Sequence, residues 1–393
     1  MHYQKPFLPE EFDRRVRDVK KRMEKAGFDL LICQDPANQG WLTGYDSWSF
    51  YTPQAVLVHV NEATPFWFGR PIDAKSASVT TNLPEDNIIS FRETLVHHPD
   101  DHPFDDLAAF ISSKGWGSDR IGVELDAHYY TARAHQHLVR GLPNAKFADS
   151  RELVNWARLV KSEAELVYMR DAGQIISHTM REAIARLKPG VRDYEVVADV
   201  YRNQILGADG KFGDYTGLCP LLQIGEGTST CHLTWSDQTV PESGLIVMEL
   251  GAARRHYNTP LTRTIHVGKP PQEVSRLASV IVEGGDLALE AAKPGVAVEE
   301  VAAVFQTILK RNGYSKDSRV GYSIGIAYPP DWGERTVSIR AGEKTPLQEG
   351  MCFHFQSGVW LDDFGAAISE PFVVTAKGGQ RFCDVERRLI VID

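Results

Sequence analysis

Apolar residues recur at three- and four-residue intervals near the start of the chain, at Phe12, Val16, Val19 and Met23, with Arg and Lys between them. That spacing predicts an amphipathic helix over Pro9–Ala26. Short apolar runs follow at Asp29–Cys33 (DLLIC), Ala55–Val60, Pro65–Phe68 and Arg120–Glu124. Each has the length and residue types of a strand, and Tyr129–Arg140 returns to helical spacing. Helices alternating with strands predict an α/β domain over residues 1–155. Glu152–Lys188 then reads as one long, charge-laced helical stretch, stopped by Pro189-Gly190. Beyond it, strand-like runs at Leu221–Ile224, Leu245–Leu250, Thr262–Val267, Met351–Phe355 and Ile368–Val374 alternate with helical patterns at Asp193–Leu206, Pro271–Ala292 and Ala297–Asn312. Residues 156–393 therefore form a second domain, and no repeat of fixed period is visible.

Length and composition agree with this division. A chain of 393 residues suggests two domains. With 42% hydrophobic and 24% charged residues it has the make-up of a soluble globular enzyme. The net charge of −9 and the lack of a basic run argue against a nucleic-acid partner. No apolar run reaches the roughly 18 residues that span a bilayer, and the opening stretch lacks a signal-peptide core. A cytoplasmic protein with no membrane partner is expected. The five cysteines are scattered and contain no CxxC pair, so neither a zinc site nor a disulfide framework is expected. Cys352, in an apolar run, reads as a small buried hydrophobe.

Candidate chemistry enters with acidic residues in apolar surroundings. Glu249 (LIVMEL) and Glu370 (AISEPFVV) interrupt strand-like runs, where a charge is costly unless paired or used. His232 stands beside Cys231 in TSTCHLTWSD. Tyr328–Arg340 (YPPDWGERTVSIR) is dense in functional residue types and reads either as a surface loop or as part of a site.

The stretch VMELGAARRHYNTPLTRTIHVG, from Val247 to Gly268, resembles the metal-binding strand pair of the pita-bread hydrolases. That superfamily includes methionine aminopeptidase, prolidase, aminopeptidase P and creatinase. Its pattern is D-x-G, a Tyr, then D-x-T-R-T. Gly251, Tyr257, Thr262, Arg263 and Thr264 are kept, whereas the two aspartates fall on Glu249 and Pro260. The GYSIG turn carries Tyr322 where the family has a ligand His. GMCFHFQ carries Gln356 at a ligand Glu, and Glu370 matches the last one. The resemblance implies a creatinase/prolidase-type N-terminal α/β domain followed by an α+β pita-bread catalytic domain. Two carboxylates at five ligand positions make a poor site for bridged divalent ions, so no metal and no cofactor are expected.

A metal-free pocket holding carboxylates favours an organic cation. Creatinase acts on such a cation, but its substrate-binding glutamates would fall on Thr262 and Gln356, which disfavours creatine. SFYTPQ, MELGAARRHYNTPLTRT, GYSIGIAYPPDWGERT and AISEPF together are similar to the ectoine hydrolase branch. That branch is metal-independent and opens a cyclic amidine bearing a carboxylate. The resemblance implies Glu249 as nucleophile or cation anchor, His232 as general acid/base and Glu370 as second anchor. Tyr257, Tyr322, Trp332 and Gln356 would lie around the substrate, with Arg335 or Arg340 on its carboxylate. The family is dimeric, so Trp48, Phe50 and Tyr51 would cover the partner subunit's site, or else form a buried aromatic patch of their own domain. Alternatives are a creatinase-like amidinohydrolase, a noncatalytic binding module and a residual metallopeptidase.

Overall fold

The structure, a computed structural model, describes residues 3–393, and the chain divides into two compact units after Arg158. In the first unit α1 (Pro9–Ala26) starts with Pro9 and two glutamates, which suit the dipole of a first turn. It stops at Gly27, whose φ of 74° is the left-handed conformation of a helix C-terminus. β1 (Leu30–Cys33), α2 (Pro36–Thr43), β2 (Ala55–His59), β3 (Phe66–Gly69) and α3 (Pro71–Thr80) come next. They are followed by β4 (Ile88–Ser90), α4 (Pro103–Ser113), β5 (Arg120–Val123), α5 (Ala132–Gly141), β6 (Lys146–Asp149) and the short α6 (Leu153–Ala157). The six strands form one mixed sheet in the order β4-β3-β2-β1-β5-β6. Leu30, Ile32, Leu57, Phe68 and Ile121 point from it into a core completed by Phe104, Leu107 and Leu138 of the helices.

The second unit opens with α7 (Glu163–Arg186) and α8 (Asp193–Leu206). The sequence predicts one helix over 152–188, but the chain leaves helical geometry between α6 and α7. Ser162 caps α7: its hydroxyl accepts from the Glu165 amide, and Glu165 accepts from the Ser162 amide. That reciprocal box fixes a new helix start. Just before it, Lys161 turns inward to Glu334, which an uninterrupted solvent-facing helix would not allow.

β7 (Leu221–Ile224), β8 (Gly244–Arg254) and β9 (Tyr257–Val267) precede α9 (Gln272–Ala291) and α10 (Val298–Arg311). Then come β10 (Gly321–Ile324), β11 (Gly333–Ile339), β12 (Cys352–Phe355), the two-residue strands β13 (Val359–Trp360) and β14 (Gly365–Ala366), β15 (Glu370–Thr375), β16 (Gly378–Arg381) and β17 (Ile390–Ile392). One sheet runs β17-β9-β8-β7 and the other β11-β10-β12-β15-β16. Ile176, Met180, Val196 and Val200 of α7 and α8 pack on Met248, Leu250 and Ile265 of the first sheet. Tyr328–Arg340, open between loop and site in the sequence, contains β11 and buries Trp332 and Glu334.

Candidate active site

The long β8–β9 hairpin sets the floor of the site. Glu249 pairs with Thr262 and Gly251 with Pro260, so alternate positions of both strands share one face. Trp332 lies on this face. A Cβ on Gly251 would approach its ring to 2.8 Å, so the glycine is required by close approach of the indole. Trp332 Nε1 donates to Tyr322 Oη at 2.7 Å. Gln356, just past β12, donates from Nε2 to Glu249 Oε2 (2.8 Å) and to Thr262 Oγ1 (3.3 Å).

These side chains bound a cavity of about 470 Å³ in the second unit. Glu249, Gln356, Tyr322, Trp332 and His232 all line it. Burial pushes the Glu249 carboxyl up to about 7, against the pull of the Gln356 amide and the Lys316 charge. Burial likewise pushes the Tyr322 phenol upward, and the Glu249 charge adds to it, so the hydroxyl stays protonated. His232 is exposed at the cavity, with Nδ1 3.5 Å from Cys231 Sγ.

Three further lining charges were not named singly in the sequence reading: Lys316, Arg319 and Asp331. Lys316 is 9% exposed, and its Nζ lies 4.6 Å from the centroid of the Trp360 ring. Burial brings its ammonium down to about 8, opposed by Cys231 and Glu249. It makes no hydrogen bond from Nζ among the described residues. Arg319 stacks its guanidinium 4.3 Å from the Tyr322 ring centroid and donates to Ser338 Oγ at 3.1 Å. Asp331 belongs to the PPDWGE run already marked as rich in functional types. For Lys316 and Arg319 the only sequence signal is their position immediately before the GYSIG turn.

Other expected residues lie elsewhere. Glu370 is 1% exposed and absent from the cavity wall. Arg263 Nη2 donates to its Oε1 at 2.7 Å, and Arg387 Nε lies 3.4 Å from the same oxygen. Every N–H of the buried Arg263 has an acceptor: the carbonyls of Thr262, Ser369, Val385 and Glu386, and Glu370 itself. Tyr257 is also buried outside the wall, its hydroxyl donating to Glu165 Oε1 at 2.8 Å. Arg335 and Arg340 do not line the cavity. In the first unit Phe50 is buried, 5.2 Å from the Tyr129 ring centroid, while Trp48 and Tyr51 are 56% and 61% exposed.

A bridged metal pair does not fit the donor set. Pro260 offers no side-chain donor, and the Tyr322 oxygen already has Trp332 and His354 as partners. Glu370 is neutralised by Arg263, and Gln356 turns its amide nitrogen to Glu249. Among the described residues no group of three or more His, Cys, Asp or Glu is arranged to hold a metal ion.

Comparison with known proteins defines the class. Residues 167–376 match the metallopeptidase family M24, and residues 15–160 match the creatinase/prolidase N-terminal domain. An ectoine hydrolase of Halomonas elongata is 39% identical over 393 residues, covering 98% of both chains. An uncharacterized hydrolase/peptidase of Sinorhizobium fredii is 41% identical over 387 residues, covering 98% of this chain and 99% of that one. A prolidase from Thermococcus sibiricus shares the fold, with a TM-score of 0.84 at 18% identity over 97% of this chain and 99% of its own. The chain belongs to the M24 family, and its architecture is the creatinase-type N-terminal domain plus pita-bread domain expected from the sequence.

Proposed function

We propose that this protein hydrolyses the ring of ectoine, a cyclic amidine bearing a carboxylate, to an N-acetylated 2,4-diaminobutyrate, and that it does so without a metal ion. The coarser statement stands on the family alone: the protein is a hydrolase acting on C–N bonds. The observation that carries the finer one is the charge pattern of a single cavity. Glu249 leaves Oε1 without a partner among the described residues, and Gln356 Oε1 likewise accepts nothing there. Those oxygens suit the planar N–H donors of an amidinium. The Lys316 ammonium, buried and without a hydrogen bond, suits the carboxylate of the same zwitterion, with Arg319 beside it.

In this reading Glu249 acts at the amidinium carbon. With its carboxyl near 7 it is matched to taking a proton from attacking water at neutral pH. Attack by Glu249 itself is the second route. His232, at the rim, exchanges protons with solvent. Asp331 is the second carboxylate of the cavity, and Glu370 acts through the Arg263 network instead of touching substrate. The exposure of Trp48 and Tyr51 leaves them available to cover the cavity of a partner subunit in a homodimer.

The test is parallel incubation with ectoine, creatine and a proline dipeptide, read by mass spectrometry. Ectoine alone should be consumed. Glu249→Gln should fold and lose about 10²–10⁴-fold in kcat. Near-normal turnover by that variant sinks the assignment.

A further inference from the structure

Ser369 is fully buried and its Oγ has two neighbours: the Thr262 amide, which donates to it at 2.7 Å, and His354 Nε2 at 2.7 Å. An amide N–H cannot accept. Among the described residues the Ser369 proton therefore has one acceptor within reach, His354 Nε2. A buried hydroxyl left without an acceptor is costly, so this bond fixes the ring as the Nδ1–H tautomer. His354 is itself fully buried, and burial drives it down to about 3, so it is neutral and carries one ring proton.

Its Nδ1 lies 3.0 Å from Tyr322 Oη. The Nδ1–H therefore donates to the phenol oxygen, as does Trp332 Nε1–H at 2.7 Å. Tyr322 accepts twice and its own proton has no acceptor among the described residues. The ring lines the cavity that holds Glu249. An amidinium carries only donors in its ground state. A hydroxyl donor opposite it finds an acceptor only once the carbon has been attacked and its nitrogens regain lone pairs.

We propose that Tyr322 is the proton donor to the leaving nitrogen and that His354, set by Ser369, is the positioning residue that turns the phenolic proton into the cavity. This rests on the hydrolytic reading of the site. Water gives one proton to Glu249 as its oxygen bonds to the amidinium carbon. When the C–N bond breaks, the nitrogen keeps the electron pair and takes the Tyr322 proton. The phenolate, held by the two N–H donors, regains a proton from the Glu249 carboxyl, and the remaining hydroxyl proton passes to the released amine. Both catalytic groups are restored and one water is consumed.

The tautomer is measured without any activity. Selective ¹⁵N-histidine labelling, with His354→Asn to assign the signal, should show His354 with Nδ1 protonated and Nε2 bare in the unliganded protein. The Nε2–H form overturns the inference. In kinetics on ectoine, Tyr322→Phe should lower kcat roughly 100-fold and leave KM within a few-fold. Ser369→Ala should lower kcat alone in the native background and add nothing to Tyr322→Phe. A Tyr322→Phe loss carried by KM, or additive effects of the two changes, overturns it. If the native protein does not turn over ectoine, the functional reading fails while the tautomer still decides the inference.

Discussion

Glu249 and Lys316 are opposite charges in one cavity, and each is displaced by burial toward neutral pH. In the proposed reaction Glu249 works only when ionised, so kcat/KM should rise as pH passes about 7. In the same proposal Lys316 holds the substrate carboxylate only when charged, so kcat/KM should fall above about 8. The expected profile on ectoine is a narrow bell, and Lys316→Met should remove its alkaline limb while raising KM. A flat profile from pH 6 to 9 would contradict both assignments. The same carboxyl bears on stability. Its folded value lies above the ordinary 4.5, so its contribution is full below 4.5 and is lost as pH rises through about 7. A shift of that size corresponds to about 3 kcal/mol. Glu249→Gln should therefore melt higher than the native protein at pH 8 and differ little at pH 4.5, as thermal unfolding at the two pH values will show. Glu249 was legible in the sequence because an acid inside an apolar strand is conspicuous. Glu370 shows the same signature for another reason: it is the counterion of Arg263, one position after Thr262, and alternation puts Arg263 on the opposite face of β9 from the cavity. A single sequence cannot tell a buried acid that is paired from one that is used.

The elements with strong periodicity were read well, and the exceptions have local causes. α1 and α8 have the bounds that their patterns predict. The break between α6 and α7 was hidden because Arg158 and Lys161 look like a solvated helix face, yet both are buried. Lys161 Nζ lies 2.6 Å from Glu334 Oε2, with side-chain exposures of 1% and 0%. This pair anchors the start of β11, next to Trp332, to the linker ahead of α7. Removing one partner of a buried pair leaves the burial of the other charge less compensated, at a cost of up to about 3–5 kcal/mol. Lys161→Met should lower the denaturant midpoint of the second unit accordingly, and an unchanged midpoint would refute the anchoring role. β10 and β11 escaped notice because Gly and polar residues interrupt any apolar run in them. Lys316 and Arg319, in the loop before β10, escaped with them: packing of one sheet against the other, which no local pattern records, brings that loop to Glu249.

At the scale of the whole molecule, an M24 scaffold carries a cavity whose side chains do not suit a bridged metal pair. Pro260, Tyr322 and Gln356 fall where the sequence resemblance places family ligands. Trp332 lies against Gly251, and Tyr322 joins it in a hydrogen-bonded pair on the same face. What lines the resulting space is two carboxylates, Glu249 and Asp331, and two cations, Lys316 and Arg319, which is the charge complement of a zwitterion. The fold was legible from one motif, because D-x-G…D-x-T-R-T positions survive as Gly251, Thr262, Arg263 and Thr264 even where the aspartates do not. The most direct test of the central claim is turnover of ectoine by protein stripped with a chelator, with metal content measured on the same sample. Undiminished turnover at far less than one metal ion per chain is the expected result. Activity that disappears on stripping and returns with Mn²⁺, Co²⁺ or Zn²⁺ would contradict it.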